Sequence, residues 1–279
     1  MLNRRDFIRA TGMSLAATSI STLAGASGKK KEPGKNKLVS RLGIASFSMR
    51  EFPLGEMLDM TVRCGIERIA IKDLHLPLDS PKDKIEEAVE MCRQRGIEPY
   101  GVGVIYMKSK EAVDQAFEYA KTARVDMIIG KPSIGLLTYV EEKVKQYDIK
   151  LAIHNHGPGD KSYPSAASAY KLIKNMDKRM GLCIDIGHTK RINRAPEKDL
   201  KDFFDRVFDI HIKDVTAASA EGVNCIIGHG VIDFPAFLKE VERMDYKGTL
   251  ALEFEADSKD PLPGMMESLG YVKGILSVI

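Results

Sequence analysis

Eight short runs rich in aliphatic and β-branched residues recur through the chain, and the stretches between them are amphipathic. The runs are LGIASFS (42–48), IERIAIKDL (66–74), IEPYGVGVI (97–105), DMIIGK (126–131), IKLAIHNH (149–156), MGLCIDIGH (180–188), VFDIHIKD (207–214) and GTLALEFEA (248–256). Helical patterns lie between them at 82–95, 112–124, 137–146, 166–176, 197–206 and 234–244, and another closes the chain at 265–278. Gly65, Gly96 and Gly181 stand where helix C-caps are expected. A strand that repeatedly hands over to a helix predicts a parallel sheet covered by its crossovers. Eight such units in one domain-sized chain predict a closed (β/α)8 barrel rather than an open doubly wound sheet.

The first residues are read as an export signal rather than as part of this fold. Arg4-Arg5-Asp6-Phe7-Ile8-Arg9 is followed by a small-residue apolar stretch, and Ala24-Gly25-Ala26 offers a cleavage site. The paired arginines point to twin-arginine export over 1–26 and to a periplasmic protein. Residues 27–37 form a lysine-rich polar linker, and 38–279 form one catalytic barrel domain. The formal net charge of +3 is misleading in this light. Without residues 1–37, 34 basic and 37 acidic residues remain, so the folded body is slightly acidic. That balance argues against a nucleic-acid partner. No long apolar segment follows the signal, so no membrane span is expected. The four cysteines, 64, 92, 183 and 225, form no CxxC pair and are expected to be free buried thiols. Neither a complete G-x-G-x-x-G nor a Walker sequence is present, which leaves dinucleotide and nucleoside-triphosphate chemistry without support.

Catalytic groups of a closed barrel project from the C-terminal ends of its strands. Four consecutive strands of this chain end in acid or imidazole: IHNH with His154 and His156, CIDIGH with Asp185 and His188, DIHIKD with His211 and Lys213, and ALEFEA with Glu253 and Glu255. Four of the chain's six histidines fall there. Singly, each has an ordinary reading: a hydrogen-bonded core histidine, a helix cap at Asp185, a solvated Glu255. Together, carboxylate and imidazole on neighbouring strands form a mixed O/N donor set suited to Zn²⁺, Mn²⁺, Co²⁺ or Fe²⁺. Lys213 is either a group that polarises substrate or an exposed partner for Asp214. Lys131, ending the fourth strand, and Phe47, after the first, are candidate substrate contacts. Phe52 and Tyr106 are further aromatics near strand ends, and Asp233 is expected to cap the helix after it.

The succession IHNHG, CIDIGH, HIKD, GHGVIDF and YKGTLALEFE resembles the xylose isomerase-like family of sugar isomerases and epimerases, most densely over 149–256. The resemblance implies a divalent ion (Mn²⁺, Zn²⁺, Co²⁺ or Mg²⁺) held by residues of strands five to eight. Asp185, His211 and Glu253 match three of the family's ligands, and His188 matches the histidine that contacts substrate oxygens. On strand five the family commonly has Glu where this chain has His154, which leaves His154 as the fourth ligand. The implied chemistry is enediolate formation on an unphosphorylated sugar or keto-sugar, with Glu253, His154, His156 and Lys213 as acid/base candidates. His188, Lys131, Glu255 and Phe47 are then the substrate-binding set. Proton return gives an isomerase or epimerase; loss or addition of a β-substituent gives a lyase or hydratase. A non-catalytic sugar-binding barrel is the reading from another class, supported by the missing glutamate. An abasic-site nuclease on the same fold would need more metal ligands and a basic groove. Barrels of this type often pair through loops, so a homodimer is the assembly the resemblance suggests.

Overall fold

The computed structural model describes residues 36–279. The segment read as an export signal, and the expected linker up to residue 35, lie outside the described residues. Eight parallel strands close into one barrel: β1 Leu42–Ala45, β2 Arg68–Ile71, β3 Glu98–Met107, β4 Met127–Pro132, β5 Lys150–His154, β6 Met180–Asp185, β7 Val207–Ile212 and β8 Thr249–Leu252. Each strand pairs with its sequence neighbours, and Leu42 to Ile44 of β1 pair with Leu250 to Leu252 of β8 to shut the ring. The expected closed (β/α)8 barrel is the observed architecture.

The strands are uninterrupted apolar runs because both faces are covered, by helices outside and by packed side chains inside. Outward-facing residues such as Ile44, Ile69, Ile128, Leu151, Leu182, Ile210 and Leu250 join the helices in the larger core. Inward-facing Ala45, Ala70, Tyr100, Val104, Met127, Ile129, Ala152, Cys183 and Ala251 fill the barrel axis. The period of two then fixes what stands above them. Two residues after Ala152, Cys183 and Ala251 come His154, Asp185 and Glu253, all pointing into the C-terminal mouth.

Around the ring run α1 Leu54–Arg63, α2 Lys82–Gln94, α3 Lys110–Thr122, α4 Leu137–Tyr147, α5 Ala166–Ile173, α6 Ile186–Arg191, α7 Pro196–Phe203, α8 Phe234–Arg243 and α9 Pro261–Leu276. Asp233 caps α8 by accepting from the Ala236 amide at 2.9 Å. The helix expected to end at Gly65 is α1; only Met57, Leu58 and Thr61 of it are buried, so its apolar stripe is short. One helix was not anticipated. The helix α6 is six residues long and is built on the CIDIGH turn itself. A short antiparallel pair, Asp214–Val215 with Asn224–Cys225, folds over the mouth side of β7.

Gly65 and Gly96 do take the positive φ of helix-ending glycines. Gly181 does not cap a helix: it lies inside β6. A Cβ there would meet the Phe208 ring at 2.2 Å and the Arg206 carbonyl oxygen at 2.6 Å, so close packing, not backbone freedom, requires glycine. The four cysteines are free; three are buried and Cys225 is half-buried. Among the described residues no helix is long and apolar enough to cross a membrane.

Candidate metal centre

Four strand ends bring His154, Asp185, His211 and Glu253 to one place. One donor atom from each lies within 4.8 Å of the others, and all four residues are buried. His154 Nε2 is 3.1 Å from His211 Nδ1, 3.4 Å from Asp185 Oδ2 and 3.9 Å from Glu253 Oε2. His211 Nδ1 is 3.3 Å from Glu253 Oε2. His154 thus takes the place that the sequence left open on strand five.

Asp185 answers to both readings of its sequence position. Its Oδ1 accepts the His188 amide at 2.7 Å and caps α6. Its Oδ2 faces the cluster and lacks a hydrogen-bond partner of good geometry. Asn155, standing between the two histidines of IHNH, locks the strand end beside it: its Oδ1 accepts the Asp185 amide at 2.9 Å and its Nδ2 donates to the Asp185 carbonyl at 3.3 Å. Sequence reasoning passed over Asn155; a buried amide between two mouth residues was its only signal.

Lys213 is 3 % exposed, so the alternative of a surface partner for Asp214 fails. Its Nζ lies 2.9 Å from Asp185 Oδ2 and 2.6 Å from Glu253 Oε2, and it also contacts Glu255. Asp214 instead accepts the amides of Val215, Gly228, Gly230 and Ile232, which folds the GHGVIDF loop against the barrel. Burial of Asp185 would raise its carboxyl, but the neighbouring His188, Lys213 and His154 hold it well below the usual carboxylate range. For Glu253 burial is likewise overcome by Lys213 and His211. Burial would lower Lys213, yet Asp185, Glu253 and Glu255 keep its ammonium charged.

The other two histidines of the group line the mouth. His188 Nε2 is 3.9 Å from Asp185 Oδ2, and burial lowers its imidazole to about 4. His156 stacks 6.1 Å from the His188 ring. His156 Nδ1 lies 3.2 Å from the His154 carbonyl, which can only accept, so that nitrogen carries the proton and Nε2 accepts from Tyr106 Oη at 3.2 Å. Burial, with the charges of His154 and Lys131, lowers His156 to about 3 and keeps it neutral. The remaining histidines have ordinary roles: His75 is bonded in the core to Ser46 and the Met49 carbonyl, and His229 pairs with Glu267 at the surface.

The first half of the barrel supplies the rim. Lys131 ends β4, pairs with Asp160 and lies 5.5 Å from the Tyr106 ring centre, with Lys72 5.6 Å from the same centre. Phe47 is half-buried after β1, under the Arg50 guanidinium at 5.1 Å. Phe52 packs on the core instead.

The donor set fits a divalent cation. His154 Nε2 and His211 Nδ1 face each other at 3.1 Å, with Asp185 Oδ2 3.4 Å from the first and Glu253 Oε2 3.3 Å from the second, so four lone-pair donors converge on one buried point. Two imidazoles with two carboxylates match the borderline first-row ions.

Residues 134–275, which include all four donors, match the family described as xylose isomerase-like TIM barrel. The rhizopine catabolism protein MocC of Rhizobium meliloti is 25 % identical over 150 residues, 48 % of this chain and 46 % of that protein. Inosose dehydratase of Glaesserella parasuis serovar 5 (strain SH0165) is 25 % identical over 150 residues, 47 % of this chain and 50 % of that enzyme. The chain spans about half the length of the curated relatives it matches. A crystal structure from Parabacteroides distasonis ATCC 8503 superposes with a TM-score of 0.66 at 27 % identity, covering 83 % of this chain and 97 % of that one. With its donors inside the matched segment and its strands closed in the same ring, the chain belongs to the xylose isomerase-like TIM barrel family.

Proposed function

We propose that this protein is a divalent-metal-dependent enzyme that removes the proton next to a carbonyl in an unphosphorylated keto-sugar or keto-polyol and then expels a β-hydroxyl as water. The choice of an unphosphorylated substrate rests on the export reading of residues 1–26. One observation carries the choice of dehydration over epimerisation: His154 stands where a second carboxylate base would be needed. Epimerisation by two matched carboxylates takes a proton from one face and returns it on the other, so it requires both.

His154, Asp185, His211 and Glu253 would hold the ion. When bound, it would act as a Lewis acid on the substrate's carbonyl and hydroxyl oxygens. Glu253 is the carboxylate base. Lys213 keeps both carboxylates ionised, but Asp185 is committed through Oδ1 to the cap of α6, whereas Glu253 meets side chains alone. The electron pair left by the α-proton forms the enolate and then the carbon–carbon double bond as the β-hydroxyl departs. Lys213, charged and buried, is placed to donate a proton or hydrogen bond to a substrate oxygen. His188 and His156 face the same mouth as neutral imidazoles, suited to binding sugar hydroxyls. The similarity to inosose dehydratases supports this reading.

Isomerisation or epimerisation is the second reading, favoured by His156. Its neutral imidazole lies beside His154, and its Nε2 would be freed by a turn of the exposed Tyr106. One experiment separates the two: the metal-loaded protein is incubated in D₂O with unphosphorylated keto-sugars and inososes. The expected result is a product lighter by one water, with solvent deuterium in recovered substrate or product. Deuterium with no loss of water would favour the second reading. Neither change, across substrates and with Zn²⁺, Co²⁺ and Mn²⁺ each tried, would sink both.

A further inference from the structure

Six acidic residues are buried among the described residues: Asp185, Asp199, Asp209, Asp214, Glu240 and Glu253. Five have evident compensation. Asp185 and Glu253 meet Lys213, Asp199 meets Arg194, Glu240 meets Arg243 and Lys201, and Asp214 accepts four backbone amides. Asp209 is the exception. It is fully buried, its Oδ1 has no partner, and only the neutral Tyr100 hydroxyl at 3.3 Å and Cys183 thiol at 3.6 Å donate to its Oδ2. A carboxylate left so poorly compensated inside a barrel carries a large desolvation cost. Among the described residues the one basic group within 4 Å is His211, whose Nε2 lies 3.5 Å from Asp209 Oδ2.

The geometry of His211 gives that cost a use. Asp209 precedes it by two residues on β7, so both point into the barrel, Asp209 one layer deeper. The register sets Cys183 of β6 and Thr249 of β8 beside Asp209, and neither can pull on the imidazole as a carboxylate does. His211 Nδ1 is the atom that joins His154 and Glu253 in the ion cluster, while Nε2 faces down. A neutral imidazole has one proton to place.

We propose that Asp209 is a positioning residue for the candidate ion: it keeps the proton of His211 on Nε2 and so presents the Nδ1 lone pair to the metal. This carboxylate–imidazole–ion arrangement fixes ring orientation and strengthens the nitrogen as a donor. The inference rests on the metal reading of the site, and extends it to a residue that reaches neither substrate nor ion.

Co²⁺ titration of the wild type and of Asp209→Asn, followed by calorimetry and by the visible absorption of the bound ion, tests it. The amide keeps the volume and can still accept from Tyr100, but it loses the charge. The expected result is binding weakened about 10–100-fold with an altered Co²⁺ spectrum, while the metal-free variant keeps its far-ultraviolet dichroism. A wild type that binds Co²⁺ and a variant that matches it in affinity and spectrum overturn the positioning role and leave the metal reading standing. A wild type that binds no divalent ion overturns both. If the variant does not fold, long-range ¹H–¹⁵N correlation of the Zn²⁺-loaded wild type decides the matter. His211 protonated at Nε2 and metal-bound through Nδ1 is the expected state, and metal on Nε2 refutes the proposal.

Discussion

A single ammonium does much of the electrostatic work at the mouth of this barrel. Lys213 sits against Asp185 and Glu253, both buried, and the half-buried Glu255, three carboxylates whose like charges would otherwise stand uncompensated. Removing one partner from a buried charge network leaves the others uncompensated, which is costlier than never having built the network. Lys213→Met keeps much of the chain length and deletes the charge. The metal-free variant is therefore expected to lose about 3–5 kcal/mol of unfolding free energy in urea melts. Saturating Zn²⁺ or Co²⁺ should return a large part of that loss, because the ion supplies positive charge to the same oxygens. An equal deficit with and without ion would show that Lys213 and the ion do not share these carboxylates.

At the scale of elements, the loop after β5 shows how a turn is held over the site. Asp160 Oδ1 accepts the amides of Ser162 and Tyr163 at 2.9 and 2.7 Å, and its other oxygen meets Lys131. Tyr163 in turn donates its hydroxyl to the Pro132 carbonyl at 2.8 Å, tying the loop to the end of β4. Burial would raise the Asp160 carboxyl, but Lys131 and the two amides outweigh it and bring it down to about 2. An unfolded aspartate titrates near 3.9, so the folded state binds the proton less readily. The stability this group contributes is complete above about pH 5 and disappears as pH falls from about 4 to about 2. Wild type and Asp160→Asn should therefore differ by a constant amount in urea midpoint above about pH 5. The gap should close on acidification through that window. A gap that persists unchanged at the acid end would place the loop's anchor elsewhere.

Over the whole molecule, labour divides between the two halves of the ring. Strands β5 to β8 provide the four candidate ion ligands and Lys213, while β1 to β4 lead to Phe47, Lys72, Tyr106 and Lys131 at the rim. The barrel could be read in the sequence because each fully buried strand is an apolar run that contrasts with its amphipathic helix. The candidate ligands could be read because an acid or imidazole ending such a run has few bland explanations when four strands do it together. Depth was harder. Lys213 looks like any charged residue beside an aspartate, and only the closed ring shows that its side chain turns inward. Asp209 shares the inward phase of His211, yet period two does not say which layer has room for water and which does not. Gly181 was misread because a glycine required by the Phe208 ring looks, in one dimension, like a glycine required by a helix end.

The carboxylate of Asp185 belongs to two structures at once, the first turn of α6 through one oxygen and the ion cluster through the other. A cation drawn to Oδ2 would still the whole group and with it Oδ1, the acceptor that keeps the His188 amide closed. Occupancy at the centre of the barrel would then be audible in one backbone proton on its rim. Hydrogen exchange at His188 should slow on addition of Zn²⁺ or Co²⁺, while amides capped elsewhere, such as Ala236 on α8, keep their rates. Unchanged exchange at His188 under saturating ion would mean that the two oxygens act independently. Slowed exchange would mean that His188, the proposed substrate contact, is steadied before any substrate arrives.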